Sequence, residues 1–134
     1  MDRVQDHVEL DLSYRDQIPI HTDVTVIGGR TALVPGARVY TRTFPKQLFK
    51  IGGFGVPGSN VRITGLRIQG AEMGVADADA PGSTGISIRS WTNVEIDNNE
   101  ISGWRGSGVE VLDDDGKIRV PYGRCAIIMM SVLR

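Results

Sequence analysis

The chain has 134 residues, 40% hydrophobic and 23% charged, with a formal net charge of −1. That length suits one small domain, and the charge balance excludes a general attraction to nucleic acid or to acidic membranes. A single cysteine, Cys125, excludes an internal disulfide, and no run is long and apolar enough to span a bilayer.

The opening Met-Asp-Arg-Val-Gln-Asp-His is polar and is not a signal peptide. Val8-Glu-Leu-Asp-Leu12 alternates as a half-buried strand does. Ile18-Pro-Ile20 follows, its proline fitting a strand start or a sheet edge. Asp23-Val-Thr-Val-Ile-Gly-Gly29 is the first copy of a motif that recurs twice. Ala32–Val34 and Arg38–Thr41 are candidate short strands split by the Pro35-Gly36 turn, and Leu48–Ile51 is another. Gly52–Ser59 is a glycine-rich turn. Its Gly53-x-Gly55-x-x-Gly58 spells a dinucleotide fingerprint as text but opens no helix and sits in no βαβ unit.

Asn60–Gly70 and Asn93–Gly103 are the full copies. Asn60, Val61, Ile63, Ile68 and Gly70 recur as Asn93, Val94, Ile96, Ile101 and Gly103, all at an offset of 33. Asp23, Val24, Val26 and Gly28 stand 37 residues before Asn60, Val61, Ile63 and Gly65. Each full copy reads as two short strands with a bend between them, at Gly65 in the second copy and at Asn99 in the third. A third strand closes each turn of the repeat, Gly85–Ile88 and then Gly108–Val111, at an offset of 23. Ile118-Arg-Val120 falls where the next copy should begin, which makes the successive spacings 37, 33 and about 25. No stretch shows helical periodicity with caps.

A repeat of short strands predicts stacked β coils, in which aligned residues lie one above another. The inward rows are then Val24/Val61/Val94, Val26/Ile63/Ile96, Ile68/Ile101, Ile86/Val109 and Ile88/Val111. On the outward face Arg62 lies over Glu95 and Arg67 over Glu100, pairs of opposite sign that support this register. Residues 1–120 are expected to form the coils and 121–134 an irregular tail. Neither end looks like a cap, so the chain is expected to be a fragment or truncated product that lacks flanking coils of the same protein.

The patterns Gly-Ile-x-Ile, Asn-Val-x-Ile and Asn-Asn-x-Ile-Ser-Gly resemble the repeats of right-handed parallel β-helix proteins, the pectin-lyase-like superfamily. The resemblance covers about residues 8–120 and implies an all-β, right-handed, single-stranded parallel β-helix of about four or five coils with uncapped ends. It implies an extracellular or cell-surface location and a polysaccharide partner. Members include lyases, glycoside hydrolases, epimerases, tailspikes and non-catalytic adhesins, so activity stays open between polysaccharide binding or processing, a structural or adhesion segment, and an inactive truncated product.

In lyases of the superfamily a carboxylate-bound calcium neutralises the uronate and a basic residue takes the proton. In its hydrolases paired aspartates serve as acid and base. The Asn-Thr-Asp and Gly-His-Gly signatures of polygalacturonases are absent here, so no catalytic residue carries over. The local candidates for acid–base work are Glu95, Asp97 and Glu110, with Arg89 as the cation, each also readable as an ordinary surface charge. Asp97 has only Thr64 in its row. Asp77, Asp79, Asp113, Asp114 and Asp115 make a calcium site if their loops meet and solvated turns if they do not. Trp91 and Trp104 bind sugar rings if exposed and pack against a coil edge if not. His7, His21 and Cys125 form no metal or redox motif.

Overall fold

A computed structural model describes residues 8–52, 58–71, 82–89, 91–112 and 126–132, with backbone alone for 58, 59, 91, 92 and 126–132. Among these residues every regular element is a strand: β1 (Glu9–Asp11), β2 (Ile18–Ile20), β3 (Thr25–Ile27), β4 (Arg38–Tyr40), β5 (Gln47–Ile51), β6 (Gly58–Thr64), β7 (Arg67–Gln69), β8 (Thr84–Arg89), β9 (Trp91–Ser102), β10 (Ser107–Leu112) and β11 (Ala126–Val132). Every pairing is parallel. The strands form two sheets, one of seven strands and one of four.

The seven-stranded sheet holds two strand rows. One consists of β3, β6 and the first half of β9; the other of β1, β4, β7 and the second half of β9. The four-stranded sheet is the third row, β2, β5, β8 and β10. From β1 onward the chain visits the three rows in one cyclic order, and each visit adds a parallel neighbour to the strand laid down before. Parallel strands cannot be joined by a hairpin. Here the connection from each strand to its parallel neighbour runs through the other two rows.

The repeat register is the one the motif predicts. Val61 pairs with Val94, Ile63 with Ile96, and Arg62 with Glu95. Ile68 pairs with Ile101, and Ile86 and Ile88 with Val109 and Val111. The inward rows are buried where three or more strands lie side by side: Ile51, Ile63, Ile68, Ile86, Ile88 and Ile96 are at most 1% exposed. β-Branched side chains suit this packing, because each has few rotamers to lose and stacks on its like in the next strand. Val26 is only partly buried and Leu10 is 52% exposed, because no described strand lies beyond β3 or β1.

Three local expectations are corrected. Ala32–Val34 is a turn closed by Thr31 N–H donating to the Val34 carbonyl (3.0 Å). Ala126–Val132, expected within an irregular tail, is β11 and pairs with β9 from Val94 to Ile101, with a register shift between Ile128 and Met130. Its register puts Ala126 beside Val94, so this spacing is 32 rather than about 25. The strand expected at Ile118–Val120 lies outside the described residues.

The bend is sharper than the sequence indicates. Gly65 has φ +76° and Asn98, its counterpart 33 residues on, has φ 52°. Asn98 therefore takes the left-handed turn expected of Asn99, while Asn99 sits inside the bend in the row of Leu66, the place its alignment gives it. Fully buried, Asn99 accepts from the Leu66 N–H (2.9 Å) and donates to the Ile63 carbonyl (2.9 Å). It thereby satisfies two backbone groups that the bend withdraws from the ladder. The residues opening each copy, Asp23, Asn60 and Asn93, are also left-handed, with φ of 66°, 54° and 54°. Their side chains form a ladder: Asn93 Nδ2 donates to Asn60 Oδ1 (2.7 Å), and Asn60 Nδ2 to Asp23 Oδ1 (3.0 Å).

Candidate functional site

The outward faces of the three rows differ in how their charges are employed. On the first row Arg62 holds Asp97 with both Nε and Nη2, at 3.0 and 2.8 Å. Glu95, directly across from Arg62, is farther from it at 3.7 Å. Asp97 is therefore the better-partnered acid of the two. The Arg62 hydrogen bonds hold its carboxyl below the usual carboxylate range, against an opposing push from burial. A group kept ionised in this way is the reverse of a general acid, which needs a raised pKa.

On the second row Glu9, Arg38, Arg67 and Glu100 line up across four strands. Arg38 donates to Glu9 (3.1 Å) and to Gln69 (2.7 Å), and its guanidinium lies 4.2 Å from the centre of the Tyr40 ring. Arg67 donates Nε to the Gly36 carbonyl (3.0 Å), and Glu100 takes Arg30 (2.9 Å). Arg30 and Gly36 both come from the β3–β4 loop, whose contribution the row alignment does not reveal. Most of these charges are committed to holding neighbouring strands and the β3–β4 loop together.

The third row is different. A cleft of about 490 Å³ lies over the four-stranded sheet, lined by Lys46, Gln47, Lys50, Ser87, Arg89 and Glu110 among others. Parallel pairing sets Lys50, Ser87 and Glu110 side by side on β5, β8 and β10. Arg89 lies two residues beyond Ser87, and Lys46 just before β5. Among the described residues none of these four charged groups is in an ion pair. Gly82, at the end of the long Ala71–Thr84 loop, also borders the cleft.

The structure thus divides the residues picked out from sequence. Arg89 and Glu110 share the cleft; Glu95 and Asp97 belong to the other sheet, beside Arg62. Trp104 is partly buried against the core and donates Nε1–H to the Ile68 carbonyl (3.2 Å), a packing role at the coil edge. Gly70 and Gly85 make room for its indole, since a Cβ on either would lie within 3 Å of the ring. Trp91 begins β9, and its side chain lies outside the described residues, as do Asp77, Asp79, Asp113, Asp114 and Asp115. Among the described residues no group of three or more His, Cys, Asp or Glu is placed to hold a metal ion.

The aligned motif does not mark Lys46 and Lys50, because β5 lies outside it. The signal was present: Phe49 and Ile51 precede Ile86 and Ile88 by 37 residues, the offset that relates the first two copies of the motif. No protein-family model matches the sequence, and neither the curated proteins nor the solved structures yield a match.

Proposed function

We propose that these coils belong to a right-handed parallel β-helix of the pectin-lyase-like kind, and that the cleft on the four-stranded sheet binds an acidic polysaccharide outside the cell. The cyclic visiting of three parallel rows supports the architecture. One observation carries the function: Lys46, Lys50 and Arg89 converge on a single cleft with no ion pair among the described residues. On the other two rows Arg62 and Arg38 are spent on neighbouring carboxylates; here, among the described residues, the cations have no carboxylate partner and are open to a ligand. The cleft spans several strands, as an extended polymer requires.

Binding is favoured over hydrolysis. Glycoside hydrolysis uses two carboxyl groups about 5–9.5 Å apart across the bond. Glu110 is the one carboxylate lining this cleft among the described residues. Isothermal titration of polygalacturonate and alginate into the chain tests the reading. Binding should weaken with salt, since exposed charges are screened. Lys50→Gln and Arg89→Gln should each lower affinity about two- to fivefold, the range of an exposed ion pair. Equal binding of uncharged dextran, or silence across the acidic polymers from folded protein, overturns the proposal.

A further inference from the structure

We infer that Glu110 makes the cleft selective for a charge pattern: an acidic sugar unit over β5 and β8, followed by an uncharged unit over β10. The inference rests on the polysaccharide reading above. Its basis is the polarity of the site across the strands. Lys46 and Lys50 belong to the β5 side and Arg89 to β8, while among the described residues lining the cleft Glu110 alone carries charge on the β10 side. Lys50 and Glu110 flank Ser87 in one cross-strand row. Two strand spacings put their backbones about 9.6 Å apart.

No Lys50–Glu110 ion pair is formed, and among the described residues neither side chain has another ion-pair partner. No ion pair joins Glu110 to Arg89 either, its diagonal neighbour on β8, so among the described residues the Glu110 carboxylate is left to face a ligand above β10. A polymer with a carboxylate on every unit meets three cations and then a like charge. A polymer whose unit at that place is esterified keeps the cation contacts and avoids the repulsion. Glu110 then acts by exclusion, and a hydroxyl or ester group can lie beside it where a carboxylate cannot.

Trigalacturonate and its two singly methyl-esterified forms, one at each end unit, separate these cases by titration calorimetry. One mono-ester should bind the wild-type chain about fivefold more tightly than the tri-acid, the effect of one like-charge contact at roughly 4 Å in water. Glu110→Gln should tighten the tri-acid and erase the difference. Glu110→Asp should keep it, and Glu110→Lys should reverse it, with melting temperatures confirming that each variant is folded. If Glu110→Gln leaves the ratio unchanged, or tightens all three ligands equally, the selectivity inference falls while polysaccharide binding stands. If only Glu110→Gln binds the tri-acid, exclusion by Glu110 is supported and native binding of the fully acidic form is lost as a proposal. Silence from wild type and variants alike overturns both.

Discussion

Replacing Asn99 with leucine tests whether the bend is held by its amide or by its volume. The two side chains are close in size, so the substitution leaves little cavity. It does strand the Leu66 N–H and the Ile63 carbonyl, which Asn99 engages at 2.9 Å each in a site with no exposure. An unsatisfied buried polar group costs about 1–3 kcal/mol, so the pair should cost about 2–6 kcal/mol. A domain of this kind has only about 5–15 kcal/mol of stability in all. With a urea slope of about 2 kcal/mol per molar, a 3 kcal/mol loss lowers the unfolding midpoint by roughly 1.5 M. Urea denaturation followed by far-ultraviolet circular dichroism measures that midpoint, and hydrogen exchange at the Leu66 amide reports the lost bond directly. A midpoint within about 0.2 M of wild type, with the Leu66 amide still protected, would refute the assignment. Asn99→Asp adds a second reading. It keeps an acceptor for Leu66 but buries a carboxyl, whose folded pKa must rise. That variant should be relatively more stable at low pH and lose stability as pH rises.

Asp97→Asn should flatten the acid limb of the stability profile. The folded pKa of Asp97 is depressed, so its contribution is present above the unfolded value of about 3.9 and lost as pH falls through the folded one; thermal melts from pH 2 to 7 measure it. Gly65→Ala should cost about 1–3 kcal/mol, because φ is +76° and the new Cβ would sit 2.9 Å from both the Arg30 and Gly29 nitrogens; a calorimetric melt reads the loss. Leu10→Lys with Ile27→Lys should reduce concentration-dependent association, since both side chains are over half exposed on strands at a sheet edge. Sedimentation velocity checks this, and equal association of wild type and variant would count against edge-to-edge contact.

Sequence made the stacking legible because β-branched residues at fixed offsets have one economical explanation. Val61 over Val94 and Ile86 over Val109 needed no coordinates. Charge partners were less legible. A strand register fixes which Cα lies opposite which, but a guanidinium reaches diagonally, and Arg62 passes over the facing Glu95 to grip Asp97 two residues on. Arg30 reaching Glu100 was hidden for another reason: it comes from a loop with no repeat to align. The cleft was half legible. Arg89 and Glu110 sit on strands the repeat identified, whereas Lys46 and Lys50 sit at a strand whose 37-residue counterpart is plain only once Phe49 is paired with Ile86. The bend divided its labour between adjacent asparagines, Asn98 supplying the backbone turn and Asn99 the buried bonds, which composition alone does not separate.

The side-chain ladder Asp23–Asn60–Asn93 carries an arrow. An ionised aspartate only accepts, so Asn60 is obliged to turn its amide nitrogen toward Asp23 and its oxygen toward Asn93. Every later rung inherits that orientation. Coils that begin with asparagine are interchangeable members of such a series, and duplicating one in the gene would extend the column without a mismatch. The coil that begins with Asp23 is not. Copied into the middle, it would set two acceptors face to face with no proton between them. One carboxylate thus distinguishes the rung that cannot be repeated in mid-column from the rungs that can.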